Sequence, residues 1–292
     1  MNKIHHVPVL LQEVLQSVPS DAQYIVDGTL GHGGHTFHMY EQSANKPNMM
    51  GIDLDAHMLA KAQQNLEDLH DQIVFVHGSY TKVDEYIHAQ GRKGLDYLLV
   101  DVGVNMEHFK DTTRWFSIKG EAPLDMRFDD QQEFSAQTLL ATYNKTQLQE
   151  VFEKYAEFTP AKAWEIAGVI VTQRKISPLQ TTLQLKTLLN SCGLWEKAIV
   201  VIFQSLRIEV NQELKNIETF ISKIPLVMNP GGRCAIITFH SLEDRLVKNA
   251  FKDLLQKWWT LYTKKAIQAT YQEKQRNKAS RSAKLRVIQA PL

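Results

Sequence analysis

Cysteine is scarce in this 292-residue chain, which has only Cys192 and Cys234. Two thiols without ligand spacing exclude a disulfide framework and a cysteine metal centre, and they suit a reducing cytoplasm. No apolar run reaches the roughly 18 residues of a membrane-spanning helix. Met1-Asn2-Lys3-Ile4-His5-His6 lacks the apolar stretch of a secretory leader. An excess of one charge is missing too: 33 Lys and Arg stand against 32 Asp and Glu, a formal net charge of +1, so overall charge selects no partner. Repeats and low-complexity tracts are absent. His5, His6, His32, His35 and His38 crowd one region, but their spacing matches no defined ligand set, so no metal is expected. What is there is 43% apolar content, enough for a sizeable core in one large domain or two modest ones.

The most informative stretch is Asp27-Gly28-Thr29-Leu30-Gly31-His32-Gly33-Gly34-His35. It follows the apolar run Tyr24-Ile25-Val26 and precedes a second run, Met49-Met50-Gly51-Ile52, that ends in Asp53. A strand, a glycine-rich turn, a helix and a strand ending in an acid form a nucleoside-binding half of an α/β sheet. Glycine lets the backbone approach a ligand, and the second acid accepts ribose hydroxyls. The dinucleotide fingerprint wants Gly or Ala three residues after Gly33; Thr36 stands there, which disfavours a bound pyrophosphate. Asp27, at a strand end, suits a ligand with a cationic end. S-adenosylmethionine has both a ribose and cationic groups. Two further apolar runs agree, Val74-Phe75-Val76 leading to Tyr80 and Leu95–Val100 ending in Asp101. Open α/β sheets bind ligands at the carboxyl ends of their strands, where Asp27, Asp53, Tyr80 and Asp101 all fall.

The pattern then changes. Between about residues 134 and 189 no strand-like run survives, and helical spacing marks 137–143, 146–155, 160–173 and 182–189, with Thr146 a candidate N-cap and Pro160 in a first turn. The α/β pattern resumes with an amphipathic stretch over 201–224, the turn at 229–233 and the run Cys234–Phe239. The expected organisation is 1–130 as the N-terminal part of a core, 131–196 as an inserted helical subdomain, and 197–292 as the rest of the core with a basic tail. In that tail Lys264, Lys265, Lys274, Arg276, Lys278, Arg281, Lys284 and Arg286 face a single acid, Glu273. It reads equally as a phosphate-binding segment or as a solvated one.

Three polar clusters remain: Pro123-Leu124-Asp125-Met126-Arg127, Phe203–Asn211 and His240-Ser241-Leu242-Glu243-Asp244-Arg245. With Gly33-Gly34-His35 they make the chain closely resemble, almost end to end, the bacterial 16S ribosomal RNA cytosine-N4 methyltransferases of the MraW (RsmH) family. The resemblance implies a class I, Rossmann-like S-adenosylmethionine-dependent sheet with an inserted all-helical subdomain. It further implies methylation of N4 of a cytidine in the decoding region of small-subunit rRNA, with the subunit as partner and no membrane involved; oligomeric state stays open, a dimer included. Its cofactor positions fall on Gly33, Gly34, His35, Asp53, Tyr80, Asp101 and His108, to which the strand-end argument adds Asp27. Candidates to accept protons or bonds from the target amine are Asn105, Asp125 and His240. Against Asn105 stands a loop cap, and against His240 a strand-end histidine bonded to Glu243 or Asp244. Arg127, Arg207 and Arg245 suit phosphates or carboxylates equally. Trp115 and Phe116 offer rings for an extruded base, core burial being the plainer role for Phe116. The chain departs from the family pattern over 102–118, in Tyr155-Ala156-Glu157-Phe158-Thr159 and in Ile199-Val200-Val201-Ile202. A paralogue that binds cofactor and RNA but acts elsewhere, or not at all, is therefore the alternative.

Overall fold

A computed structural model of the protein describes residues 7–103 and 120–292. The chain divides into two compact units, one made of Met1–Gly103 with Leu214–Leu292 and the other of Val104–Glu213.

The first unit begins α1 (Leu11–Ser17), β1 (Tyr24–Asp27), α2 (Gly34–Gln42), β2 (Asn48–Asp53), α3 (Ala56–Asn65), β3 (Ile73–His77), α4 (Val83–Ala89) and β4 (Leu95–Asp101). The second unit then supplies α5 (Ala136–Thr142), α6 (Lys145–Ala156), α7 (Pro160–Ile176), α8 (Thr182–Ser191) and α9 (Glu196–Val210). The chain returns through α10 (Glu213–Val227), β5 (Met228–Thr238), α11 (Ser241–Leu255), β6 (Thr260–Leu261), β7 (Ile267–Gln268), α12 (Tyr271–Arg276) and β8 (Lys284–Gln289).

The sheet order is β3-β2-β1-β4-β5-β8-β6, with β7 on β8. Neighbours from β3 to β5 are parallel, and β8 runs antiparallel to β5. Parallel strands are covered on both faces, so their sequences show unbroken apolar runs rather than alternation. All four residues of β1 are buried accordingly. Alternate side chains feed two cores: Ile25, Leu99 and Ile237 pack with Val14, Met39 and Leu59 on one face. Val26, Val100 and Ile236 pack with Ile87, Phe220 and Phe251 on the other. Strand order reverses between β1 and β4, which opens a crevice beyond their carboxyl ends.

The end of the expected basic tail is sheet. On β8, Leu285, Val287 and Ile288 are buried, while Lys284 Nζ and Arg286 Nε donate to Asp244 at 2.9 and 2.8 Å. A chain ended before Lys274 would expose the flank of β5. We expect such a truncation to lose its cooperative thermal transition; a retained native-like transition would contradict the placement of β8.

In the second unit α5 to α9 enclose one core that includes Leu139, Phe152, Ile166, Leu185, Ile202 and Leu206. Helix starts are set by side-chain caps: Ser135, Asn144, Thr159 and Thr181 each accept a backbone N–H, and Pro160 occupies the first turn of α7. Asn144, not Thr146, caps α6, because Gln147 completes a capping box with it. The unit runs past residue 196, since α9 buries Ile199, Ile202 and Leu206 in that same core. The amphipathic stretch over 201–224 is two helices, parted where Gln212 takes φ 50°.

Candidate functional site

Asp27, Asp53 and Asp101 close β1, β2 and β4 on one edge of the sheet, and the glycine-rich turn is stitched between them. Gly28 N–H donates to Leu99 O at 2.8 Å and Leu30 N–H to Ile52 O at 2.8 Å. Gly31 N–H donates to Asp53 Oδ2 at 2.7 Å, and Asp55 N–H donates to Asp53 Oδ1 at 2.8 Å. These amides, one on each oxygen, orient the Asp53 carboxylate, whose oxygens can each accept more than one bond. Thr29 joins the turn to β4 by accepting the Asp101 amide at 2.7 Å.

Two glycines of the turn are required by the protein itself. A Cβ on Gly28 would stand 2.9 Å from Val100 Cγ2, and one on Gly33 2.6 Å from Leu66 Cδ1. Gly33 also has φ 81° and caps α2. Replacing it with Ala adds about 1–2 kcal/mol for the left-handed backbone, before any displacement of buried Leu66. We expect Gly33→Ala to lose at least that much in urea denaturation; an unchanged midpoint would contradict this geometry.

Thr36 explains the departure from the dinucleotide pattern. Its hydroxyl donates to Asp27 Oδ2 at 2.8 Å, while Thr29 N–H reaches Asp27 Oδ1 at 3.2 Å. Asp27 is only 1% exposed, and burial, with a smaller contribution from the Asp53 charge, pushes its carboxyl up to about 6 despite those two bonds. Asp101 is pushed well above the carboxylate range, first by burial and then by Asp27 and Glu243. Its Oδ1 is buried with no hydrogen-bond partner among the described residues. A crevice ringed by buried carboxylates repels a pyrophosphate and favours a ligand that brings positive charge. The sulfonium and ammonium groups of S-adenosylmethionine meet that requirement, and a carboxylate at the end of β2 is of the kind that accepts ribose hydroxyls. The residues present therefore fit this cofactor.

Gly34 and His35 form the first turn of α2, with His35 buried. Tyr80 follows β3 in a short 3-10 turn, its ring edge-on to Phe220 at 5.4 Å between centroids. Asn105, His108, Trp115 and Phe116 lie outside the described residues. His240, in the first unit, caps α11: its Nδ1 accepts Glu243 N–H at 3.4 Å, and its Nε2 stands 2.9 Å from Glu243 Oε1. Glu243 Oε2 accepts the amides of Phe239 and His240 at 2.7 and 3.1 Å. Both ring nitrogens of His240 thus face Glu243, whose fully buried carboxylate was not among the sequence-derived candidates. Its position three residues after a cap is the signal that points to it. Arg245 is exposed on α11.

Asp125 belongs to the second unit, where Arg127 holds it in a two-pronged bond, Nε to Oδ1 at 2.6 Å and Nη2 to Oδ2 at 2.8 Å. Arg127 Nη1 also donates to the carbonyls of Asp130 and Gln132. Between the two, Met126 takes φ 64°, and Asn211 supports it by donating to Met126 O at 2.7 Å and accepting Phe128 N–H at 2.8 Å. Arg207 pairs with Glu213 through Nε at 2.8 Å and Nη2 at 3.1 Å. Arg127 and Arg207 therefore hold loops through carboxylates.

A family model described as the MraW methylase family matches residues 3–291. Ribosomal RNA small subunit methyltransferase H of Elusimicrobium minutum is 38% identical, over 99% of this chain and 99% of its own. The proteins of that name from Clostridioides difficile and Petrotoga mobilis are 35% and 37% identical, over 98% and 96% of this chain and 99% of each of theirs. With its α/β sheet, its acid-lined switch point and this end-to-end likeness, the chain belongs to the MraW methylase family.

Proposed function

We propose that this protein is an S-adenosylmethionine-dependent methyltransferase that modifies N4 of a cytidine in the decoding region of 16S rRNA, acting in the cytoplasm on the small ribosomal subunit. The observation that carries the substrate is the shared name of its full-length relatives, each a ribosomal RNA small subunit methyltransferase. The acidic strand ends support the cofactor.

S-adenosylmethionine supplies an electrophilic methyl on a positively charged sulfur. The protein supplies position: Asp53 takes the ribose hydroxyls, and Asp27 and Asp101 compensate the cofactor's positive charge in a buried setting. The N4 amine of cytosine is a weak nucleophile because its lone pair is delocalised into the ring, so most of the barrier reduction comes from holding it in line with the methyl. Its protons become acidic as the bond forms and need an acceptor. Asp125 is committed to Arg127, and His240 to Glu243, so both serve best as supports for their loops. Asn105 is the remaining candidate. The helical unit, expected from the sequence over 131–196, is the surface we assign to RNA. Within it Lys145 Nζ lies 3.6 Å over the half-exposed ring of Trp164, a cation beside an aromatic of the kind nucleic acids engage.

The test is transfer of labelled methyl to purified small subunits and to free 16S rRNA, followed by nucleoside mass spectrometry. N4-methylcytidine made by the wild type and absent with Asp101→Ala is the expected result. Cofactor binding with no methylated nucleoside would favour the paralogue reading, and a different methylated base would move the target.

A further inference from the structure

The basic residues near the C-terminus that are not spent on the sheet are held at the edge that carries the cofactor residues. Register places them there. Asp101 pairs with Ile237 at the end of β5, and Ile237 and Thr238 pair with Leu285 and Lys284 at the start of β8. β7 enters beside the same residues, Gln268 opposite Lys284. The chain from 269 to 283 therefore leaves and rejoins the sheet at the level of Asp101. It contains α12 and a 3-10 turn, Lys278–Arg281.

This segment is anchored. Glu273, the one acid of the basic stretch, accepts the amide of Leu10 at 2.8 Å, and Asn277 Nδ2 donates to Val7 O at 3.0 Å. Thr270 caps α12, and Arg281 Nε donates to Lys274 O at 3.3 Å. The anchor uses up the local carboxylate. Arg276, Lys278 and Arg281 are exposed, Lys274 is half-buried, and none of the four forms an ion pair with a carboxylate of the described residues. Tyr271, 78% exposed, stands one helical turn before Lys274. Cations with no carboxylate partner among the described residues, beside an exposed aromatic, complement a phosphodiester chain with accessible bases.

We propose that α12 and the 3-10 turn after it form a rim that binds the phosphate backbone of the substrate RNA next to the cofactor crevice, with Lys274, Arg276, Lys278 and Arg281 as its contacts. The proposal rests on the RNA-methylating function given above and adds to it a second RNA surface, on the sheet unit. Bound strand would cross the edge where Asp27, Asp53 and Asp101 lie, so the rim presents RNA to the methyl donor.

The experiment compares the wild type with a fourfold variant, K274Q/R276Q/K278Q/R281Q, for binding to 16S rRNA over a range of salt. Each lost phosphate contact lowers the slope of log K against log salt by about 0.7–0.9, so the fourfold variant should lose about 3. The KM for RNA should rise at least tenfold, with kcat at saturating RNA and S-adenosylmethionine affinity unchanged. Should the fourfold variant misfold, R276Q/K278Q alone predicts a slope smaller by about 1.5. An unchanged slope and KM would overturn the rim. So would a variant that keeps its RNA slope and instead loses binding to phosphatidylglycerol vesicles. Wild-type binding to RNA without methylation would overturn the functional reading, while the slope would still decide the rim.

Discussion

Replacing Asp53 with Ala should cost S-adenosylmethionine affinity at least a hundredfold, the largest single loss we expect from any one side chain of the crevice. Hydrogen bonds to a charged acceptor contribute about 1.5–3 kcal/mol each, and two ribose hydroxyls give about 3–6 kcal/mol. The substitution also frees the amides of Gly31 and Asp55, which this carboxylate now holds at 2.7 and 2.8 Å, and so loosens the turn. Asp53→Asn keeps one oxygen acceptor and should recover part of the loss. Calorimetric titration of the purified variants checks this. Affinities within threefold of wild type would remove Asp53 from the site.

The second large effect has opposite signs for stability and for binding. Burial raises the Asp27 carboxyl from its ordinary value to about 6, so the folded protein holds this proton more tightly than the unfolded chain does. Ionising it opposes folding. The cost is absent below the unfolded value, grows as pH rises through about 4 to 6, and is constant above. The gap between an ordinary carboxyl near 4 and one near 6 is worth about 3 kcal/mol at pH 7 to 8. Asp27→Asn should therefore stabilise the protein without cofactor at pH 8 by up to about 3 kcal/mol, less whatever its bonds to Thr29 and Thr36 lose. Near pH 4 the two proteins should melt alike. The variant should meanwhile lose most of its S-adenosylmethionine affinity, because a neutral amide does not compensate the cofactor's charge. Thermal melts across pH, with and without cofactor, decide it. A variant less stable at pH 8 than at pH 4, relative to wild type, would show that the carboxylate is an asset to the fold.

The strand ends were legible in the sequence because a parallel strand buried on both faces is an apolar run, and an acid closing such a run stands out. Asp27, Asp53 and Asp101 could be placed from that contrast alone. The helices of the inserted unit were legible from their spacing, but their ends were less so. Asn144 rather than Thr146 caps α6, a choice made by the reciprocal bond to Gln147. The break at Gln212 was invisible, since a left-handed backbone at one non-glycine residue leaves the amphipathic pattern of α9 and α10 uninterrupted. The charge of the C-terminal segment masked β8, where Lys284 and Arg286 alternate with buried Leu285 and Val287 and serve Asp244. The roles of Asp125 and His240 depend on partners two and three residues away, and either carboxylate or imidazole could equally have faced a substrate. Only geometry assigns Asp125 to Arg127 and His240 to Glu243.

On the reading proposed above, buried carboxylates at the switch point hold a positively charged nucleoside cofactor. Titration of S-adenosylmethionine into the wild-type protein at pH 6, in two buffers of different ionisation enthalpy, tests it most directly. A cation drawn to Asp27 and Asp101 must drive protons off them, so binding should release on the order of half a proton or more, and the observed heats should differ between buffers in proportion. Identical heats in both buffers, or no binding at all, would contradict the account.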